Sequence, residues 1–238
     1  MMDFLSLPTK EYSMSKGLFI MIEGTDGSGK TTQTELLVNR LKEAGHAVES
    51  ISFPQYGTPS AAMVEEYLNG KFGTAQEVGP YRASIFYAID RYAGSFTIRT
   101  WLDAGTIVIA NRYVGSNMGH QGGKISDPVE RGHYFDWNYQ LEYTMFGIPK
   151  PDVNIILHMP AEMAQALVDK KGAREYLHGK KRDIHEDDIR HLKDAELAYL
   201  DMAKRFPEFN IIECTEGETL LSKEQIHESI WATLQSHM

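Results

Sequence analysis

Short apolar segments alternate with longer amphipathic segments along most of this chain. The apolar segments predict five strands, at residues 18–23, 47–52, 106–110, 153–158 and 210–213. The amphipathic segments predict helices near residues 30–44, 60–69, 81–103, 127–146, 160–170, 186–205 and 223–235. Asp127 and Pro128 have the residue types that cap and begin a helix. This alternation predicts an α/β fold in which helices cover both faces of a doubly wound, five-stranded parallel sheet.

The first predicted strand leads directly into a glycine-rich turn, GTDGSGKT, at residues 24–31. This turn matches the pattern G-x-x-x-x-G-K-[ST], in which glycines let successive backbone N–H groups face a phosphate. Lys30 adds a positive charge, and the Thr31 hydroxyl is suited to the magnesium that accompanies a nucleotide. We therefore expect a P-loop NTPase-type fold that binds a nucleotide's phosphates through Gly24, Thr25, Asp26, Gly27, Ser28, Gly29, Lys30, Thr31 and Thr32.

Composition narrows the class of protein further. With 238 residues and 42% hydrophobic content, the chain is long enough to bury a full core. We expect one domain over residues 17–238, preceded by a flexible extension at residues 1–16 that does not have the features of a signal peptide. No apolar run approaches the roughly 20 residues that span a membrane. The single cysteine, Cys214, suits a reducing compartment and predicts a cytoplasmic protein. The net charge of −9 disfavours binding to polymeric nucleic acid.

A basic segment stands out from this acidic background. Residues 169–185 contain Lys170, Lys171, Arg174, Lys180, Lys181 and Arg182 around two glycines. A charge run is most often a solvated loop. Phosphoryl transfer, however, needs positive charge over the transferred group, and the phosphate loop contains no arginine. We therefore predict that this segment is a mobile lid and that Arg174 or Arg182 is the catalytic arginine.

Several motifs in order resemble the thymidylate kinase family, whose members transfer the terminal phosphate of ATP to dTMP. The likeness covers residues 18 to 235, and the basic lid resembles the subgroup with its catalytic arginine there. The motifs after the phosphate loop are FPQYG at 53–57, IFYAIDR at 85–91, IVIANRYVGSN at 107–117, HQGGK at 120–124, GIPKPDVNIIL at 147–157 and KKRDIHEDD at 180–188.

The resemblance implies an acceptor site for dTMP. It implies that Phe86 stacks on thymine, that Arg91 hydrogen-bonds the base, and that Arg112 assists catalysis at the phosphate. The full set that it implies for dTMP is Phe53, Tyr56, Phe86, Arg91, Arg112, Asn117, His120 and Gln121. Three of these residues have ordinary alternatives: Phe86 lies on an apolar stripe with Ile85, Ile89 and Tyr92, Arg91 is a mid-helix charge, and Tyr56 is suited to covering the core.

The resemblance also implies a magnesium ion bound with ATP. Asp26 and Thr31 are expected at the metal, with Glu23 acting through the metal's water shell. The same family pattern places Asp26 near the acceptor's 3′-hydroxyl and adenine near Cys214 and Thr215. It further implies in-line transfer without a covalent intermediate, and a homodimer formed through helices on the face away from the lid.

Two residues depart from the family pattern. Asn111 stands where the family has the aspartate of Asp-Arg-Tyr, and a neutral amide attracts a hard cation less strongly than a carboxylate. His120 stands where the family carries an aromatic residue thought to block a ribose 2′-hydroxyl. Because imidazole can hydrogen-bond a hydroxyl, we predict that UMP is a poor but measurable acceptor.

Other functions stay open at this point. One is a kinase for another pyrimidine nucleoside monophosphate or deoxynucleoside monophosphate, such as dUMP or UMP. A second is a non-catalytic nucleotide-dependent switch, although the chain lacks the guanine-reading pattern Asn-Lys-x-Asp. A third is a scaffold that retains an inactive phosphate loop, since Asn111 already departs from the pattern.

Overall fold

The computed structural model describes residues 16–169 and 189–237. Its main sheet is five-stranded and parallel, with the order β2-β3-β1-β4-β5. The strands are β1 Phe19–Gly24, β2 Val48–Ser52, β3 Ile107–Asn111, β4 Val153–His158 and β5 Phe209–Glu213. All five predicted strands are confirmed to within one residue at each end, because each is a short apolar run bounded by turn-forming or polar residues.

Eight α-helices connect or follow these strands in the described part of the chain. They are α1 Lys30–Glu43, α2 Ala62–Leu68, α3 Ala75–Asp103, α4 Val114–Ser116, α5 Pro128–Tyr139, α6 Ala161–Val168, α7 Ile189–Arg205 and α8 Lys223–Gln235. Asp127 caps α5 as predicted, since its carboxylate accepts hydrogen bonds from the backbone N–H groups of Val129 and Glu130. No helix among the described residues is both long and apolar enough to cross a membrane.

Two apolar cores cover the two faces of the sheet. Alternate residues of β1 enter opposite cores, because successive side chains of a strand point to opposite faces. Met21 packs in a core with Ile98 of α3 and Met202 of α7. Ile22 packs in the other core with Leu37 of α1. This two-sided burial is the doubly wound arrangement that the sequence predicted, and it leaves the carboxyl ends of the strands available for a site.

The segment between β3 and α5 differs from its prediction. We expected a loop at residues 120–124, and the structure continues the short α4 through a π-helical turn, Asn117–Gln121, and a 3-10 turn, Gly122–Lys124. Its glycines hide the apolar periodicity of a helix. A Cβ on Gly119 would lie 2.4 Å from the Tyr199 ring, so this position must be glycine for the segment to pack against α7. A hairpin of β6 Thr215–Glu216 and β7 Thr219–Leu220 was also not predicted.

Candidate active site

The phosphate loop joins the carboxyl end of β1 to the first turn of α1. Gly27 and Gly29 have φ angles of 86° and 90°, in the left-handed region that favours glycine. A Cβ on Gly27 would lie 2.2 Å from the carbonyl oxygen of Ala164, so only glycine allows this close approach. Lys30 Nζ donates hydrogen bonds to the carbonyl oxygens of Gly24 at 3.0 Å and Thr25 at 2.7 Å. The ammonium group is thereby held at the mouth of the loop.

A cavity of about 390 Å³ opens beside this loop. It contains most of the predicted site residues: Asp26, Gly27, Gly29, Lys30, Thr31, Phe53, Tyr56, Arg91, Arg112, Asn117, His120 and Gln121. Ser52, Pro54, Leu68, Tyr87, Asn111 and Ser116 complete its wall. Gly24, Thr25, Ser28 and Thr32 belong to the loop or to the first turn of α1 without lining the cavity. The volume falls within the range of sites for small organic ligands.

Arg112 lies between the phosphate loop and the rest of the cavity. It follows β3 directly and has a φ of 68°, which is uncommon for a residue other than glycine. Its Nη2 donates to Asp26 Oδ1 at 2.5 Å, and Nη1 lies 2.9 Å from His120 Nε2. Burial is the largest single influence and would lower the pKa of this guanidinium, but the charge of Asp26 together with Tyr199, Glu23 and Tyr56 raises the pKa overall. Arg112 therefore stays cationic. Asp26, which was predicted to lie at the metal, also orients the Arg112 side chain.

The predicted role of Glu23 at the metal's water shell is wrong. Glu23 is fully buried and does not line the cavity. Its Oε1 accepts hydrogen bonds from the backbone N–H groups of Tyr113 at 2.6 Å and Ser116 at 3.0 Å. Its Oε2 accepts from the hydroxyls of Ser116 at 2.6 Å and Tyr199 at 3.1 Å. With both oxygens occupied, Glu23 supports the segment that follows Arg112 and does not face a ligand.

His120 has partners on both ring nitrogens. Its Nε2 contacts Arg112, as described above. Its Nδ1 lies 3.4 Å from Nε2 of His191, a residue of α7 that the sequence analysis did not identify. Burial lowers the pKa of His120 well below its ordinary value, and the charge of Arg112 adds to this effect. A hydrogen bond from His120 to a ribose hydroxyl would have to replace one of these contacts.

A second histidine, His158, lies at the carboxyl end of β4 and connects this strand to β5 and α7. Its Nδ1 lies 2.6 Å from Glu213 Oε2 of β5, and its Nε2 lies 3.0 Å from Glu196 Oε1 of α7. Burial alone would lower the pKa of His158, but the hydrogen bonds to Glu213 and Glu196 outweigh burial and raise it. The imidazolium can donate to both carboxylates, whereas neutral imidazole can donate to one.

The predicted stacking residue, Phe86, is one position away from the cavity. Its ring packs against Tyr67 and Phe72, at centroid distances of 6.0 Å and 5.5 Å, and it does not line the cavity. Tyr87 lines the cavity instead. Tyr87 precedes Arg91 by four residues, which places both on the same face of α3, whereas a spacing of five does not. The placement of Phe86 was therefore wrong by one residue.

Arg91 lines the cavity from α3 and is not the solvent-facing charge that its mid-helix position suggested. It is 1% exposed and forms a two-point ion pair with Glu142, from Nε to Oε2 at 2.5 Å and from Nη2 to Oε1 at 2.8 Å. Burial alone would lower the pKa of Arg91, but Glu142 raises it. Asn117 Nδ2 donates to the same Glu142 Oε1 at 3.1 Å. Glu142 lies 51 residues from Arg91 in the sequence and was not predicted.

The FPQYG turn contributes Phe53, Pro54 and Tyr56 to the cavity wall. The backbone N–H of Gln55 donates to Asp90 Oδ2 at 2.8 Å, which fixes the turn to α3. Phe53 is buried at its base and packs on Tyr113, with ring centroids 5.7 Å apart. Tyr56 is 38% exposed and lines the cavity, so it does not serve to cover the core. Its contact with an acceptor phosphate stays a prediction.

The residues expected near adenine divide into two cases. Cys214 is fully buried, and its Sγ lies 4.0 Å from the carbonyl oxygen of Ser28. Burial raises the pKa of this thiol to about 12. The thiol packs beneath the phosphate loop, and the expected position of adenine near Cys214 stays a prediction. Thr215 lies at the start of β6 and is partly exposed, and its predicted role is untested.

Three neighbouring residues provide oxygens that fit a magnesium ion. Asn111 Oδ1 is buried and has no hydrogen-bond partner among the described residues. The Nδ2 of the same amide lies 3.5 Å from Thr31 Oγ1, and Asp26 lines the same cavity. Magnesium prefers such oxygen ligands and usually keeps several waters. The residues present therefore fit the ion that the sequence predicted. Arg174, Arg182 and nearly all of the predicted lid lie outside the described residues.

Together, the phosphate loop, the cationic Arg112 and the polar cavity that extends beyond it define a P-loop phosphotransferase with separate places for donor and acceptor. Comparison with known proteins specifies the family. A model described as thymidylate kinase matches residues 22–230, so this chain belongs to the thymidylate kinase family.

Similar proteins agree with this assignment. Thymidylate kinase of Mycobacterium tuberculosis is 30% identical over 187 residues, which cover 78% of this chain and 86% of that protein. Thymidylate kinase of Deinococcus radiodurans is 30% identical over 223 residues, covering 93% and 98%. The solved structure of thymidylate kinase from Candida albicans has a TM-score of 0.71 at 22% identity, covering 93% of this chain and 92% of that chain. That structure supports the same fold.

Proposed function

We propose that this protein transfers the γ-phosphate of ATP to dTMP, giving ADP and dTDP. The observation that carries the proposal is the single cavity that joins the phosphate loop to Arg112 and continues to Arg91 and Asn117. This arrangement has room for two anionic ligands placed end to end. Membership of the thymidylate kinase family favours this activity over a non-catalytic switch and over an inactive scaffold.

On the donor side, the loop amides and Lys30 hold the phosphates of ATP. Magnesium would be held by Thr31, Asn111 and Asp26, directly or through water, and would supply a positive charge that offsets charge on the transferred group. Lys30 hydrogen-bonds loop carbonyls in this structure, so nucleotide binding exchanges those contacts for phosphate oxygens. We keep Arg174 and Arg182 as the proposed lid arginines.

On the acceptor side, Arg112 is placed to hold the monophosphate beside the phosphate loop. Tyr87 replaces Phe86 as the proposed stacking residue, and Arg91 and Asn117 face the edge of the base. Transfer is in line, because both phosphates are oriented by fixed cations and no protein nucleophile is required. The acceptor phosphate is already ionised at neutral pH, so the site needs no general base.

Release of ADP in the presence of ATP tests the proposal. The acceptors to compare are dTMP, dUMP, UMP and dCMP, with a reaction lacking acceptor as the control. We expect the largest kcat/KM for dTMP. Equal ADP release with and without acceptor would show that the protein only hydrolyses ATP, and this result would contradict the proposal.

We also propose that the protein is a homodimer. On α3, Ile85, Ile89, Tyr92 and Phe96 are 39%, 44%, 43% and 57% exposed, and the nearby Met145 is 75% exposed. Such a row of large apolar side chains is typical of an interface. Light scattering should give twice the mass of the chain, and Ile89→Glu should give the single-chain mass.

Two further expectations stay proposals. We propose that residues 17–238 act as one kinase domain, with the acceptor-binding region at about 53–92. We also propose a cytoplasmic location, on the basis of the single thiol of Cys214 in a reducing compartment.

A further inference from the structure

A buried carboxylate stands behind the two residues that face the base end of the cavity. Glu142 lies in the π-helical segment Gln140–Met145 and is fully buried. Both of its oxygens bind Arg91, and Oε1 also accepts a hydrogen bond from Asn117. One acidic side chain therefore orients two residues that line the cavity.

These bonds determine which polar atoms remain for a ligand. Glu142 engages Nε and Nη2 of Arg91, and no acceptor among the described residues bonds to Nη1. The Nδ2 of Asn117 donates to Glu142 Oε1, to the carbonyl oxygen of Ser84 at 3.1 Å and to Asn138 Oδ1 at 3.2 Å. Within the described residues, no donor bonds to Asn117 Oδ1. The base end thus offers a donor from Arg91 and an acceptor from Asn117.

The pyrimidines differ in this pattern. Thymine and uracil present a carbonyl acceptor at position 4 and an N–H donor at position 3, whereas cytosine presents an amino donor and an unprotonated acceptor. A fixed donor and acceptor in the protein match the first pair and oppose the second. Discrimination therefore depends on keeping Arg91 and Asn117 in their present orientations.

We propose that Glu142 is the positioning residue that sets base selectivity, by holding Arg91 as donor and Asn117 as acceptor toward the base. Glu142 does not line the cavity, so it acts through these two residues. The inference rests on the proposed function for the class of ligand, a pyrimidine deoxynucleoside monophosphate.

A second buried arginine, paired with a partly exposed aspartate, provides the control. Arg131 Nη1 donates to Asp201 Oδ2 at 2.6 Å, and the Arg131 side chain is 4% exposed. Neither residue lines the cavity. Asp201→Asn therefore removes a carboxylate from a buried arginine, as Glu142→Gln does, without touching the base end.

The test measures the affinities of dTMP, dCMP and ATP by calorimetry. Glu142→Gln keeps the side-chain length but replaces one acceptor oxygen with an amide NH2 group, which donates hydrogen bonds. We expect dTMP affinity to fall about tenfold or more, the dTMP preference over dCMP to shrink, and ATP affinity to stay unchanged. Asp201→Asn should leave all three affinities unchanged. An unaltered ratio of dTMP to dCMP affinity in folded Glu142→Gln overturns the inference.

If Glu142→Gln does not fold, the same affinities are measured for Glu142→Asp. This variant keeps the charge and withdraws the carboxylate by one methylene. Weaker dTMP binding with unchanged ATP binding supports the inference, and unchanged binding of both overturns it. Binding separates this result from the proposed function: a wild-type protein that prefers dTMP but forms no dTDP would refute the kinase activity and leave the role of Glu142 in place.

Discussion

Replacing Glu23 tests how the fold holds Arg112 in the site. Glu23 lies on β1 and bonds the segment after β3 through the backbone N–H groups of Tyr113 and Ser116. It also accepts a hydrogen bond from the Tyr199 hydroxyl of α7. A Cβ on Gly115 would lie 2.9 Å from Glu23 Cγ, so the segment passes directly over this side chain.

The magnitude follows from counting donors that lose a partner. Glu23→Ala leaves two largely buried donors without an acceptor, the backbone N–H of Tyr113 and the hydroxyl of Ser116, and each costs about 1–3 kcal/mol. We therefore expect the free energy of unfolding to fall by roughly 4 kcal/mol. Glu23→Gln keeps one acceptor oxygen and exchanges the other for a donor, so we expect a loss of about 2 kcal/mol. Because Arg112 begins this segment, kcat/KM for dTMP should fall in both variants.

Urea denaturation measures these losses. A change of about 2 kcal/mol shifts the midpoint by roughly 0.5–1 M urea in a protein of this size. Glu35→Gln is the control, since Glu35 is an exposed acid on α1. A Glu23→Gln midpoint no lower than that of Glu35→Gln would show that the buried carboxylate does not support the segment, and the reasoning would fail.

Three further predictions follow from the site. Tyr87→Ala should raise KM for dTMP at least tenfold, whereas Phe86→Ala should mainly lower the melting temperature; the reverse pattern in steady-state kinetics would restore Phe86 as the stacking residue. Asn111→Asp should lower the magnesium concentration at half-maximal rate, because a carboxylate binds the ion more strongly, and an unchanged titration would exclude this residue from the metal. Because the pKa of His158 is raised in the folded protein, this residue stabilises the fold below its ordinary pKa of 6.5, and that stabilisation is lost as pH rises through the folded pKa. Because the pKa of His120 is lowered in the folded protein, this residue destabilises the fold as pH falls below 6.5. His158→Gln and His120→Gln should therefore change the pH dependence of the unfolding free energy in opposite directions, and parallel changes would contradict these assignments.

The features predicted correctly from sequence depend on short segments. The five strands and the phosphate loop are each defined by consecutive residues, so local pattern was sufficient to locate them. Residues 114–124 were missed as helix because several glycines interrupt the apolar pattern. Those glycines allow contact with α7, at Tyr199 for example, and this contact is not visible in the local sequence.

Two features of the site were mispredicted because they depend on residues that are distant in the sequence. Glu23 was assigned to the metal because it ends a strand near the phosphate loop, but its donors come from residues about 90 positions away. The ion pair of Arg91 depends on Glu142, which no motif indicated. Phe86 is different, because helical spacing was enough to correct it: Tyr87, four residues before Arg91, lies on the cavity face.

The central claim is that a phosphoryl group passes from ATP to dTMP on this chain. Phosphorus NMR of a mixture of protein, ATP, magnesium and dTMP observes this transfer directly. We predict that dTDP and ADP signals grow in equal amounts while those of ATP and dTMP decline. Growth of ADP and inorganic phosphate without dTDP would contradict the account.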